Sequence, residues 1–364
     1  MTESGATTTV AAEAHPALRS TFRFHQYRRL TGYVTPDLLL RGWREPDSGT
    51  VGWMTARDAV VLIEPGADGT LFLDRSTVLA ESCLHRRPGL SRPGVQSATH
   101  VHPHTDDVVE LDTEVALVFR PSWYNYFHWI TQCLPMALHA LDVQPDAEII
   151  LPTYASFDAR FVQPSFSEQT YRQSLDVVLG PDQPTRFLEP GYYRFRTVHL
   201  PLFPQPSIFG HSFRSRFFDR FEPILGPIGD RRRRSGAPRG SRRLFIPRGG
   251  ATNRGRVDEE VHAVLARLAA QAGYEMLDPS TVSWHDQLAA FAEASHVLGI
   301  HGAGLTNIVF STDATVIEYN ALIRDENKLR DPYFCLCCDL GHRYYLIRDV
   351  DLGQVEADLL ASME

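Results

Sequence analysis

Hydrophobic and polar positions run in two rhythms along this chain. From Thr21 to about Leu111 short apolar runs, 59–63 and 70–73 among them, are split by turns such as Glu64-Pro65-Gly66 and Asp68-Gly69. That pattern predicts short peripheral strands. A continuous apolar run over 115–119 predicts a buried strand. Behind it Phe127, Ile130, Leu134, Leu138 and Leu141 recur at helical spacing, with Pro135 placed to kink the helix. Strands at 148–151 and 194–202, with an amphipathic helix at 168–179 between them, complete a βαβαβ succession, and 213–225 reads as a further helix. Then the pattern stops. From Gly226 to Gly240 the chain is Gly, Pro and Arg, including Arg231-Arg232-Arg233-Arg234, with little to bury. This reads as a solvated linker over 226–241.

The second half alternates more clearly. A strand at 243–246 ends in Pro247-Arg248, and a basic glycine-rich turn with Arg254 and Arg256 leads into a helix at 258–272. Acids open that helix and Gly273 caps it. A strand at 274–277, a helix at 284–294 capped by Ser283, and a strand at 297–300 follow. Gly302-Ala303-Gly304 then turns into a helix start at 305–310, and strands at 315–319 and 344–347 precede a tail helix at 354–363. Such alternation predicts an α/β protein with parallel sheets covered by helices on both faces. The expected division is a disordered lead over 1–20, an N-terminal domain over 21–225, the linker, a C-terminal domain over 242–350, and a tail helix over 351–364 that packs back on the first domain.

Composition narrows the function. A chain of 364 residues has room for two domains, and 43% hydrophobic with 22% charged residues is ordinary for a soluble protein. A net charge of −8 argues against generic binding of nucleic acid or anionic membrane. Five cysteines, with Cys335, Cys337 and Cys338 crowded together, make no disulfide framework and read as small buried hydrophobes in a reducing, cytoplasmic setting. No apolar run reaches the roughly 18 residues that a membrane span needs. The lead carries Glu3 and no apolar core, unlike a signal peptide.

Two places carry chemistry. The turn after the strand at 297–300 presents backbone N–H groups as α/β proteins do for a phosphate, though it is neither a dinucleotide fingerprint nor a Walker loop. Arg248, Arg254 and Arg256 reach the same sheet edge, and Glu318 ends the next strand. A diphosphate asks for guanidinium forks and N–H donors, a ribose for a carboxylate. In the first half His128 and Gln132 share a helix face behind a strand end, where such sheets put ligands; the plainer reading is a core helix with a satisfied histidine. His100, His102 and His104 alternate. But Pro103 interrupts them and no ligand set is completed, so a polar surface segment is expected and no metal site.

Five pieces taken together resemble a known family. Asn125-Tyr126-Phe127-His128-Trp129 with Leu134-Pro135 comes first, then Phe245-Ile246-Pro247-Arg248 with Arg254, Arg256 and Asp258-Glu259. Trp284-His285-Asp286-Gln287, His301-Gly302-Ala303-Gly304-Leu305-Thr306-Asn307 and Val316-Ile317-Glu318 follow in order. They resemble the motifs of glycosyltransferase family 61, over roughly 115–318. The resemblance implies a GT-B fold, two Rossmann-like doubly wound domains facing a crevice. It implies inverting transfer from a nucleotide sugar, expected to be UDP-linked, to a hydroxyl on a glycan or small-molecule acceptor. No essential metal or other cofactor is implied, and bacterial relatives serve polysaccharide biosynthesis.

Carried onto this chain, Arg248 and Arg254 resemble diphosphate ligands, the stretch from His301 to Asn307 a nucleotide and phosphate cradle, and Glu318 a ribose partner. Asn125, Tyr126, Trp129 and Gln132 are expected on the acceptor side. Family members often place an acid where this chain has Gln132. His128 is therefore the expected base, with Asp106 or Asp107 in reserve. A sugar-nucleotide epimerase of the same fold, or a binding protein without its base, are the alternatives.

Overall fold

The computed structural model describes residues 18–25, 49–63, 69–72, 77–79, 95–97, 107–119, 123–154, 166–202, 219–226, 240–248, 257–320, 333, 336, 337, 340 and 342–347. The chain divides into two compact units, and the described residues up to Leu202 belong to the first, those from Asp219 onward to the second. The lead before Leu18, most of the expected linker and the tail helix lie outside the described residues. So do His100, His102, His104, Asp106, Arg254, Arg256, Cys335 and Cys338.

Among the described residues the first unit holds nine strands: β1 (Leu18–His25), β2 (Gly49–Ile63), β3 (Gly69–Phe72), β4 (Thr77–Leu79), β5 (Val95–Ser97), β6 (Val108–Leu117), β7 (Glu148–Pro152), β8 (Thr185–Leu188) and β9 (Gly191–Leu202). They form one sheet in the order β5-β4-β3-β2-β9-β6-β7-β8, with β1 also on β2. The strands from β6 to β9 are parallel, while β1 to β5 pair antiparallel and β2 runs antiparallel to β9. The expectation of parallel strands throughout fails here for a simple reason. Only a few residues separate Ile63 from Gly69, and a short connection can join only antiparallel neighbours.

Nor is β2 peripheral. Alternate residues Ala59, Val61 and Ile63 are buried, and so are Val60 and Leu62 between them, so both faces of the strand are covered. Leu18 to Ser20, expected to be part of the lead, begin β1. Between β6 and β7 lie α1 (Tyr126–His128), a π turn (Trp129–Cys133) and α2 (Leu134–Val143). Between β7 and β8 lies α3 (Glu168–Leu179), whose N-cap Ser167 accepts from Thr170 N at 3.1 Å.

The second unit's sheet is wholly parallel: β10 (Arg242–Ile246), β11 (Glu275–Met276), β12 (Ala294–Ile300), β13 (Thr315–Tyr319) and β14 (Arg343–Ile347), in the order β11-β10-β12-β13-β14. The order therefore reverses between β10 and β12. In doubly wound sheets ligands bind outside the carboxyl ends of the strands at such a reversal. The helix α4 (Glu259–Gln271) buries Val261, Leu265 and Leu268, one stripe at helical spacing, against Phe245, Leu298 and Ile317. Gly273, at φ +76°, ends it: Tyr274 N donates to Ala269 O at 2.8 Å and Gly273 N to Ala270 O at 3.1 Å, satisfying the last carbonyls. Ser283 caps α5 (Trp284–Ala292), accepting from Asp286 N at 3.2 Å. Among the described residues no helix is long and apolar enough to cross a membrane.

His296 on β12 gives the fold a pH dependence. Burial, then the nearby charges of Arg243 and Arg343, hold its imidazole below the ordinary 6.5. The unfolded chain thus takes a proton before the folded one, so stability falls as pH drops below 6.5 towards the folded value and is unaffected above. His296→Gln should lose less stability between about pH 8 and about pH 5 than the wild type, measured as denaturation midpoints. Equal losses would remove His296 from this role.

Candidate functional site

Two clusters lie at strand carboxyl ends, one in each unit. In the second unit β10 delivers Pro247-Arg248 and β12 delivers His301-Gly302 to the same end of the sheet. The Arg248 Nη1 donates to the His301 carbonyl. A Cβ on Gly302 would overlap this guanidinium, standing 2.8 Å from its Cζ. The backbone of Gly302 is extended, so glycine is needed there for space: the arginine lies on it.

Residues 303–310 then form a 3-10 helix, where a helix start was expected over 305–310. Leu305 N donates to Gly302 O at 3.0 Å, and the N–H groups of Ala303 and Gly304 stand at the helix's amino end, where no acceptor exists inside the helix. Leu305, Thr306 and Asn307 are buried. Asn307 Nδ2 donates to Gln287 Oε1 at 2.9 Å, and Gln287 Nε2 to the carbonyls of Pro279 at 2.8 Å and Val282 at 3.3 Å. Thr306 Oγ1 lies 3.4 Å from the Tyr333 hydroxyl. These three residues, expected to line the cradle, are packed behind the turn and fasten it.

Glu318, expected beside a ribose, is buried within the second unit. Its side chain is 0% exposed, with Oε1 at 2.5 Å from His301 Nδ1 and 3.3 Å from Asn320 Nδ2, and Oε2 at 2.6 Å from the Tyr344 hydroxyl. Both oxygens meet groups inside the protein. His301 is 20% exposed by side chain and meets the Tyr333 ring edge-on at 5.6 Å, while the Tyr333 hydroxyl donates to Gly302 O at 2.6 Å.

In the first unit the helix after β6 begins at Asn125, whose side chain accepts from Phe127 N at 2.9 Å. Pro135 has no N–H to give the carbonyl four residues back, and its ring would crowd that carbonyl. The chain answers by widening just before it: the Leu134 N–H reaches Trp129 O across a π turn. The expected kink is thus absorbed as a bulge immediately behind His128. His128 is half-buried, with Nδ1 at 3.0 Å from Gln132 Oε1. With the amide oxygen accepting, Nδ1 carries the proton and the opposite nitrogen, Nε2, is the basic one.

Tyr126 and Trp129, expected on the acceptor side, belong to the core. Tyr126 packs on Phe166 at 5.8 Å, and Trp129 lies 4.6 Å from Tyr171 with its indole N–H on Ser174 Oγ at 2.8 Å. Their size and burial brace the helix that carries His128. Elsewhere in this sheet His199 spans three strands, with Nε2 at 2.8 Å from Glu114 Oε1 and Nδ1 at 2.9 Å from Thr55 Oγ1.

Residues 126–317 match the family model for Glycosyltransferase 61, 192 of 364 positions. The chain belongs to glycosyltransferase family 61. It is therefore a glycosyltransferase, and no curated protein matches it. The matched span holds His128, Gln132, Arg248 and the His301–Gly302 turn; Glu318 and Tyr344 lie past its end.

Among the described residues of this family 61 chain, no group of three or more His, Cys, Asp or Glu is placed to hold a metal ion. Asp107, an acid held in reserve as base, is exposed. Cys133 and Cys337 are buried thiols. Sequence reasoning missed Tyr333, Tyr344, Asn320 and the back-bracing role of Gln287. Tyr344 had one legible signal: it starts a buried strand beside the one carrying Glu318. Tyr333 sits in a stretch with no periodicity to read.

Proposed function

We propose that this glycosyltransferase moves a sugar, with inversion and without a metal ion, from a UDP-linked donor to an acceptor hydroxyl. One observation carries the reading: Arg248 and the His301–Gly302 turn meet where the order of the second sheet reverses. There a guanidinium, the N–H groups of Ala303 and Gly304, and His301 supply donors for a diphosphate. Arg254, outside the described residues, is proposed as a second arginine of the set. The acceptor belongs to the first unit, at Asn125 and His128, with the buried Gln132 orienting the histidine.

His128 Nε2 takes the proton of the acceptor hydroxyl. The hydroxyl oxygen attacks the anomeric carbon opposite the diphosphate, through an oxocarbenium-like transition state. The carbon–oxygen bond to the diphosphate breaks, and its electron pair leaves on the diphosphate, where fixed positive donors do the work a metal does elsewhere. We assign the two units to the GT-B class on this division of labour. A cytoplasmic role in polysaccharide or glycoconjugate biosynthesis completes the proposal.

A thermal-shift panel of nucleotides and nucleotide sugars tests it. A ligand at about 100 times its Kd stabilises by roughly 2.7 kcal/mol, a visible shift. UDP and a UDP-sugar should give it with EDTA present. A chain indifferent to every nucleotide would end the reading.

A further inference from the structure

The turn after β12 is held by two groups that are distant in sequence. Arg248 Nη1 donates to the His301 carbonyl, and the Tyr333 hydroxyl donates to the Gly302 carbonyl at 2.6 Å. A carbonyl oxygen can only accept, so the single hydroxyl proton of Tyr333 is committed to it. Thr306 Oγ1, 3.4 Å from the same hydroxyl, is then the donor of that pair. Leu305 N also donates to Gly302 O, at 3.0 Å, so this oxygen is met twice.

The backbone decides what these bonds do to the neighbouring N–H groups. Gly302 lies at φ 164° and ψ 170°, close to full extension. Each trans peptide sets its C=O and N–H back to back. An extended residue therefore turns its own N–H and C=O to one side, and the C=O before it and N–H after it to the other. The Gly302 carbonyl and the Tyr333 hydroxyl share one side of the chain. The His301 carbonyl, the Arg248 guanidinium bonded to it and the Ala303 N–H share the other. That N–H has no acceptor within the helix it opens. Gly302 has no side chain to restrict the peptide that follows, so the bonds on its carbonyl set that plane. Rotation of the plane would carry the N–H away from the guanidinium's side and turn a carbonyl oxygen, which repels a phosphate, towards it.

We propose that Tyr333 is a positioning residue whose hydroxyl, by holding the Gly302 carbonyl, keeps the Ala303 N–H aimed at the diphosphate of the sugar donor. This rests on the nucleotide-sugar reading above and adds to it the side chain that sets a backbone donor. Tyr333 acts through the peptide and not on the reacting atoms. Its effect is to make the Ala303 N–H a fixed donor, one that need not reorient when the diphosphate arrives or gains charge. The tyrosine itself is 2% exposed, and its ring meets His301 edge-on at 5.6 Å. A phenylalanine in its place keeps that ring and removes the hydroxyl alone, so the bond to Gly302 can be tested by itself.

The test follows the amide signal of Ala303 in the full chain labelled with isotopic alanine, assigned by its loss in Ala303→Gly. UDP, and inorganic pyrophosphate as the phosphates alone, should move that signal downfield in the wild type, as an N–H does on meeting an anion. Tyr333→Phe should raise the Kd for both probes by roughly three- to ten-fold, the worth of one hydrogen bond. It should also shrink the downfield shift that remains at saturation. A hydroxyl with a merely structural role would cost stability yet leave both the pyrophosphate affinity and the saturated Ala303 signal unchanged, and that result overturns the inference. So does a wild-type Ala303 signal that stays in place while UDP binds. This second measurement leaves Tyr333 intact, so a poorly folded variant does not shelter the idea. Either result leaves the nucleotide-sugar reading standing, whereas a chain that binds neither UDP nor pyrophosphate overturns the reading beneath.

Discussion

Replacing His128 with alanine is expected to lower kcat by about 10²–10⁴-fold, the usual contribution of a positioned general base. Three features of the chain lead there. The helix that carries His128 follows β6 and starts at a side-chain cap on Asn125. Its next residues are pinned in an aromatic core by Trp129 and Tyr171. And Gln132 Oε1 lies 3.0 Å from Nδ1, a contact that leaves Nε2 basic when the amide oxygen accepts. Donor binding should be untouched, because the proposed diphosphate donors all lie in the second unit. The measurement is therefore a pair, kcat with acceptor and UDP affinity by thermal shift. A His128→Ala enzyme with wild-type kcat would dismiss the base.

Gln132 sharpens the same prediction. Family members often have an acid there, and a carboxylate would favour the imidazolium, which has no lone pair to accept a proton. Gln132→Glu should keep the orienting contact yet shift the acidic limb of the rate profile to higher pH. An unchanged limb would mean that the two side chains are neighbours without a working relation.

The second unit was largely legible because each of its signals is local. Ser283 and Gly273 bound their helices by capping, and 297–300 and 315–319 are apolar runs, the second broken by Glu318, as strands buried on both faces tend to be. The antiparallel half of the first sheet was not legible, because β2 finds β9 across more than a hundred residues and nothing in either strand names the other. Pro135 announced an interruption but not its form: whether a helix kinks or widens depends on what packs against it. The burial of Glu318 was not legible for a different reason. An acid at a strand end reads as a ligand group because carboxylates are seldom buried whole. Its direction was decided by Tyr344, 26 residues away, and by a turn that brought His301 over it. Which groups surround Glu318 depends on contacts between distant strands, and no local signal in the sequence carries those.

Arg248→Ala is expected to lower kcat/KM by about 10²–10³-fold, the cost of deleting one preorganised donor to a departing oxyanion. The guanidinium is set by more than its own chain. It bonds to the His301 carbonyl and lies on the bare Cα of Gly302, so its planar fork is held at the turn. Arg248→Lys keeps the charge but not the fork, and should recover only part of the loss. Gly302 supplies the decisive companion. Gly302→Ala adds a methyl where the guanidinium lies, at a backbone position any residue can adopt. If Arg248 works by its position, Gly302→Ala should reproduce most of the Arg248→Ala defect with the arginine still present. Both variants should weaken UDP binding while leaving the first unit's acceptor chemistry intact, read as an unchanged acidic limb from His128. Should Arg248→Ala stay within about five-fold of wild-type kcat/KM, the leaving-group role fails, since one missing donor is worth far more than that. If Arg248→Ala is crippled and Gly302→Ala is not, the arginine matters as a charge that tolerates displacement, and the turn is only its backdrop.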